Sequence, residues 1–416
     1  MDWATTFRSF WARPINPEPL VRAVLGRLPR TLIVIGLMLR LLVFLQDRSL
    51  WFDEMSLWGN IAQESPFRFD HPLTGDQLAP FGFLVIERMI ASVYGTGRMA
   101  MRLVPLLAGM GALVLFARLA ARVLPERPAL LALALFALSD DLIYYSSELK
   151  PYSVDVFVAV GLVLATVASL GVSPTPRWAA LMALATALAP WWSFPSTFII
   201  GGCGLTLVAE SLARGRRGDA LVWSTVGLVW FASFVVAYRA SKAILTPFTT
   251  MYAFWDFAFL SPAEPGRWLD ASKASGILLE MVINPMNLAA PVNRWLAVAP
   301  AILLLFGGAV WLARRSPAIV LAAIAPMLLN AIASELKFYP LHGRLSLGLV
   351  PLGFLLVAAG TEWIWRLDPS RSKLVYKVLL VLALAYSLLA GPYESIGRRP
   401  REFNAHGDLH ANVFVR

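Results

Sequence analysis

The sequence predicts an all-α polytopic membrane protein of about eleven transmembrane helices, with interfacial helices in its first extracytoplasmic loop. Two observations carry that prediction. The first is composition: of 416 residues, 58% are hydrophobic and 15% charged, and mean hydropathy is +0.65. A soluble domain of this size needs far more polar surface. The second is spacing, because apolar runs long enough to cross a bilayer recur along the chain between short polar loops. The excess of 36 Lys and Arg over 26 Asp and Glu is then topology information, since cytoplasmic loops collect basic residues, and it is no sign of a nucleic-acid partner.

Residues 1–30 are basic and partly amphipathic, and too polar for the apolar region of a signal peptide. They are expected on the cytoplasmic membrane face, with an uncleaved first span at 31–45. The segment "PFGFLVIERMIASVYG" (80–95) carries Glu87 and Arg88 at its centre, and a crossing there would send "ARLAARVLPER" outward. It reads as an interfacial helix. Spans at 103–121 and 128–145 then lead out to "SSELKPY", and 152–170 returns to "GVSPTPR". The pair 178–193 and 195–212 ends at the basic "ARGRRG". Spans at 220–238, 295–313, 317–334, 344–362 and 374–391 complete the count. The expected organisation is a transmembrane domain over 31–391, holding outer loops at 47–101 and 240–293, followed by an extracytoplasmic tail at 392–416.

This threading gathers the unusual polar residues on the outer side. In "WFDEMSLW" the carboxylates of Asp53 and Glu54 lie between tryptophans suited to the headgroup level. They read either as a general base tuned by apolar walls or as acids favoured at a helix start. In "SSELKPYSVDV", Pro151 starts a returning helix, so Tyr152 and Asp155 share a face, with Lys150 and Glu148 at its mouth. Lys150 is the expected partner of Asp155, whether in a structural ion pair or in an acid that orients the site. In "ELKFYPLHGRLSLGLVP", Lys337, His342 and Arg344 crowd one outer edge beside Tyr339. Fixed cations there suit a phosphate, or alternatively snorkel to lipid headgroups. The four histidines, 71, 342, 406 and 410, show no metal-ligand spacing within a helix, which supports no metal site and leaves a divalent cation open. Cys203, the single cysteine, allows no intrachain disulfide.

Three motifs occur in order: "WFDE" after the first span, Lys150 five positions before Asp155, and "KFYPLHGRL" before a late span. With "QLAPFGFLVIERMIASVYGTGRMAMRLVPLLAG" (77–109), the set resembles the glycosyltransferase C superfamily over roughly residues 31–365. The nearest branch is that of protein O-mannosyltransferases and lipid A aminoarabinose transferases. The resemblance implies a polyprenyl-phosphate-linked sugar donor and a lipid, glycan or protein hydroxyl acceptor among membrane lipids. Asp53 matches the catalytic acid that deprotonates the acceptor, with Glu54 supporting it and Asp155 shaping the site. Lys337 and Arg344, with His342, Lys150 and Arg102, are the implied donor-phosphate residues, and Tyr152, Glu148, Gln77 and Tyr339 the substrate-binding ones. Lysine stands at position 150 where the family usually has arginine, which removes a bidentate contact. The place implied is a bacterial inner membrane, with the N-terminus cytoplasmic and the site outside. A translocator of lipid-linked sugars and a non-catalytic subunit are the alternatives. A translocator needs polar residues along the whole crossing, and the inner halves of these spans hold few.

Overall fold

The computed structural model describes residues 27–65, 67, 72–75, 77–244, 254–261, 270–288, 294–367 and 388–397. Residues 1–26, the expected span at 374–391 as far as residue 387, the tail beyond 397, and His71, His406 and His410 lie outside the described residues. In chain order the helices are α1 (Arg27–Leu45), α2 (Phe52–Ala62), α3 (Phe81–Tyr94), α4 (Arg98–Met101) and α5 (Leu103–Val123). Then come α6 (Glu126–Leu138), α7 (Asp140–Tyr144), α8 (Tyr152–Ser169), α9 (Pro176–Trp192) and α10 (Ser196–Ala213). Next are α11 (Arg217–Ile244), α12 (Ala271–Ile283), α13 (Arg294–Arg315), α14 (Pro317–Glu335) and α15 (Val350–Leu367), and residues 388–397 are helical too. No strand occurs among the described residues.

Among the described residues, eight segments are long and apolar enough to cross a membrane: α1, α5, α8, α10, α11, α13, α14, and α15 with the turn that precedes it. The pair α6 and α7, bent by 55° at residue 139, gives a ninth when taken as one span. α9, at 17 residues, is shorter than any of these. The protein is a multi-pass, all-α membrane protein. α3 has 14 residues and falls short of the roughly 20 that a crossing needs.

The break between α6 and α7 frees carbonyls at the end of α6. Arg40, fully buried on α1, donates to the Phe136 and Ala137 carbonyls there, both at 3.3 Å, and lies over the Phe136 ring. α13 and α15 touch backbone to backbone, because Gly308 lies against Leu356 and Gly360 against Leu304. No β-carbon fits at either position.

α8 fixes the two ends of the molecule. Its first residues stand beside α2, while Gly171, just beyond its last turn, donates to Glu210 of α10 at 3.0 Å. Glu210 also holds Arg214 and Arg216. A helix of 18 residues is about 27 Å long, so the basic "ARGRRG" turn and the α2 end lie on opposite sides. At the α2 end, α2 and α3 bury Leu57, Ile61, Phe83 and Leu84 in one cluster with Met101, Leu149 and Val154.

Candidate active site

The acid pair that follows α1 divides into two environments. α2 starts at Phe52, so Asp53 and Glu54 fall in its first turn, where negative charge suits the exposed amide hydrogens. A step of one residue on a helix turns the side chain by about 100°, and the two carboxylates point apart.

Glu54 faces inward and is buried. Arg102 grips it with two bonds, Nε to Oε1 at 2.9 Å and a terminal nitrogen to Oε2 at 2.7 Å. The Leu149 amide donates to Oε1 at 2.8 Å, and the Trp51 amide to Oε2 at 3.5 Å. Arg102 also donates to the Arg48 carbonyl at 2.7 Å. The pair ties α2, the loop before it, the start of α5 and the 146–151 turn into one unit.

Asp53 turns away from Glu54, and its side chain is 18% exposed. Lys150 Nζ donates to Oδ1 at 2.9 Å, and Gln77 Nε2 to the same oxygen at 3.0 Å. Arg344 holds Oδ2 at 3.0 Å, with its guanidinium over the Trp51 and Tyr152 rings at 5.2 and 5.6 Å. Gln77 accepts from Lys150 through its amide oxygen and so closes a three-membered ring. Burial alone would raise the Asp53 pKa. The Lys150 and Arg344 cations, helped by the Lys150 and Gln77 hydrogen bonds, outweigh it and hold the carboxyl well below its ordinary range.

Lys150 therefore does not partner Asp155, contrary to the expectation from spacing. Lys150 precedes α8 and reaches across to α2, whereas Asp155, one turn into the helix, bonds the buried Ser193 hydroxyl between α9 and α10. The other Asp155 oxygen, Oδ1, is buried without a hydrogen-bond partner. Tyr152 is buried beside it, against the Tyr145 ring at 5.2 Å. Tyr339 donates to the Leu345 carbonyl at 3.2 Å and packs on Phe198; burial, with Asp155 and Tyr152 nearby, keeps its phenol protonated. Glu148 is fully buried, and its charge acts on Arg48.

Three solved structures share this arrangement of helices, each at a TM-score of 0.50 over 90% of the chain. Two are from Archaeoglobus fulgidus, both 13% identical: the oligosaccharyltransferase AglB in complex with an inhibitory peptide and a dolichol-phosphate, and an oligosaccharyltransferase complex with Zn and sulfate. The third, 16% identical, is ArnT from Cupriavidus metallidurans in the apo state. The fold is the one these membrane proteins share. The chain spans 56%, 54% and 66% of those three chains. No family model matches the chain, and no curated protein matches it by sequence.

Within this fold the two late cations separate. Arg344 joins Asp53, while Lys337 pairs with Asp256 at 3.1 Å, in a segment of the long loop that Lys273 anchors. His342 lies between them, its ring edge-on to Phe257 at 5.2 Å. Burial, then the Arg344 charge, lowers the His342 pKa, which keeps the imidazole neutral. The structure thus brings Asp53, Gln77, Lys150 and Arg344 into direct contact, with Tyr152 against Arg344, and it commits Arg102 to Glu54. Sequence reasoning missed Asp256 and Lys273; the only signal was an acid inside the aromatic run of the long loop. Among the described residues, no group of three His, Cys, Asp or Glu side chains is placed to share a metal ion.

Proposed function

We propose that the protein is an inverting glycosyltransferase that moves a sugar from a polyprenyl-phosphate donor to a hydroxyl acceptor on the extracytoplasmic side of the membrane. The observation that supports this reading most is a carboxylate held ionised between Lys150 and Arg344 at one end of the helices, in the fold that AglB and ArnT share.

In this reading the acceptor oxygen attacks the anomeric carbon while the bond from that carbon to the phosphate oxygen breaks. The electron pair leaves with the polyprenyl phosphate, and the acceptor proton passes to Asp53. The transition state is oxocarbenium-like, and a single displacement inverts the anomeric centre. Arg344 and Lys150, fixed before the donor arrives, stabilise the charge on the departing phosphate. As they turn toward the phosphate their hold on Asp53 weakens, which raises the basicity of the carboxylate when a base is needed. Glu54 and Arg102 act through position: they fix the first turn of α2, and with it the direction of Asp53. The basic turn at the far end of α8 supports this choice of side, because cytoplasmic loops collect Lys and Arg. A bacterial inner membrane and a lipid, glycan or protein acceptor complete the reading.

The deciding experiment uses the nearly isosteric Asp53→Asn variant of the full-length protein, with transfer and binding of a polyprenyl monophosphate measured in parallel. Loss of a general base lowers the rate by about 10²- to 10⁴-fold. Transfer should fall by that factor while binding persists, because both cations remain. Unchanged transfer would sink the assignment.

A further inference from the structure

Lys337 stands at a position where the backbone favours a different residue. It follows α14 with φ at +57°, in the left-handed region, and its amide donates to the Ser334 carbonyl at 3.1 Å. The next amide, that of Phe338, donates to Ala333 at 2.8 Å. This is the Schellman ending of a helix, whose left-handed residue is usually glycine. A lysine there is strained relative to glycine, so its side chain is retained for another reason.

The surroundings indicate which. The Lys337 ammonium and the Asp256 carboxylate are 36% and 37% exposed, and a pair so open to solvent is weak and easily exchanged. Around it, Leu336, Phe338, Phe254 and Phe257 all expose apolar surface. An aromatic rim around a cation at the end of a membrane helix suits a molecule with a phosphate head and a hydrocarbon tail. The segment carrying Asp256 is firmly seated. Lys273 donates to the Asp256 and Ser261 carbonyls at 2.8 and 2.9 Å, and Leu341 donates to Ala258 at 2.9 Å. The same segment places Phe257 against His342, two residues before Arg344. The patch is therefore linked through His342 to the turn whose Arg344 holds Asp53.

We propose that Lys337 and its aromatic rim form an entry site for a lipid-borne phosphate, in which the Asp256 carboxylate occupies the ammonium until the lipid phosphate displaces it. The site deepens the glycosyltransferase reading: it receives the phosphate-bearing lipid before Arg344 and Lys150 do. It rests on that reading for the identity of the lipid.

The test is titration of the full-length protein in detergent micelles with a long-chain polyprenyl monophosphate, with phosphatidylglycerol and inorganic phosphate in parallel arms. Asp256→Asn removes the competing anion and should tighten binding of the lipid phosphate by about two- to fivefold, the range a solvent-exposed ion pair allows. Lys337→Gln should weaken it by about tenfold, the worth of one charged hydrogen bond. Lys337→Arg should retain it. Lys337→Gly separates cation from backbone, since glycine suits the left-handed position: it should melt no lower than the natural protein and still lose the same tenfold. Equal binding by Asp256→Asn, Lys337→Gln and Lys337→Gly, with Arg344→Gln alone defective, overturns the entry site and leaves the catalytic reading standing. Asp256 and Lys337 dependence seen only with inorganic phosphate overturns the role of the rim. If lipid binding follows both residues while Asp53→Asn still transfers sugar, the entry site stands and the catalytic reading falls.

Discussion

At Asp53 the two forces on the carboxyl oppose each other, and the cations win. The group stays ionised well below the ordinary carboxylate value of about 4. A depressed folded-state pKa contributes stability above the unfolded value and loses it as pH falls through the folded one. Protonation of Asp53 in the free protein thus sets no acidic limb in kcat/KM near neutrality. Lys150→Gln removes the nearer cation, leaves burial less opposed and raises the pKa, so its acidic limb should appear at higher pH than that of the natural protein. Coincident profiles would show that Lys150 does not tune the base. Glu54→Gln should behave differently. It leaves the buried Arg102 guanidinium without its anion, which costs about 3–5 kcal/mol, read as a lower melting temperature. These contrasts were only half legible in the chain. Adjacency marked Asp53 and Glu54 as a pair, but helix rotation leaves one partly exposed among cations and buries the other. Their partners lie 97 and 48 residues away, at separations no local pattern encodes.

At the scale of elements, the break between α6 and α7 delivers the "YSSELK" turn, and thus Lys150, to the site. Periodicity predicted one span at 128–145 and gave no sign of a 55° bend, because the residue that stabilises it, Arg40, sits on α1, nearly a hundred positions earlier. A buried arginine in an apolar run reads as a cost until the freed carbonyls it serves are seen. Arg40→Met keeps the length of the side chain and withdraws the donors, so the Phe136 and Ala137 carbonyls lose their partner. The expected loss is about 2 kcal/mol, measured by thermal unfolding in detergent, with reduced transfer because Lys150 is displaced. Arg40→Lys should recover part of both. α3 shows the opposite case. Glu87 and Arg88 within its 14 residues spoke against a crossing, and its length agrees. Arg88 reaches the Asn60 carbonyl of α2 at 3.0 Å, which locks the two short helices together. Glu87 is fully buried with both oxygens lacking a hydrogen-bond partner, and burial raises its pKa well above the ordinary value. A raised folded-state pKa gives stability that is complete below the unfolded value and lost as pH rises through the folded one. Glu87→Gln should therefore raise the melting temperature, more at pH 8 than at pH 5; a lower melting temperature at both would mean a hidden partner.

At the scale of the molecule, every argument about direction rests on α8, whose two ends carry opposite chemistry. One end meets Asp53, Gln77 and Arg344, and the other meets the Glu210, Arg214 and Arg216 turn. The threading of the sequence put these on opposite sides because basic loops alternate with acidic and aromatic ones. The ladder of spans was legible for the same reason, while α9 and the α6–α7 pair depart from simple lengths through a short helix and a bend. Topology is open to direct test because the single native cysteine, Cys203, is buried and contributes little background to thiol labelling. Met55 lies on the exposed face of α2 beside Asp53, and Arg217 is exposed at the start of α11, next to the basic turn. In intact cells a membrane-impermeant maleimide should modify the Met55→Cys variant and spare Arg217→Cys, which should label only once the membrane is opened. The reverse pattern would put Asp53 in the cytoplasm, away from any donor displayed on the outer leaflet. Labelling of both variants before permeabilisation would break the span assignment of α8 itself, since 27 Å of apolar helix, to the nearest few ångströms, is what separates them (about 1.5 Å per residue over its 18 residues).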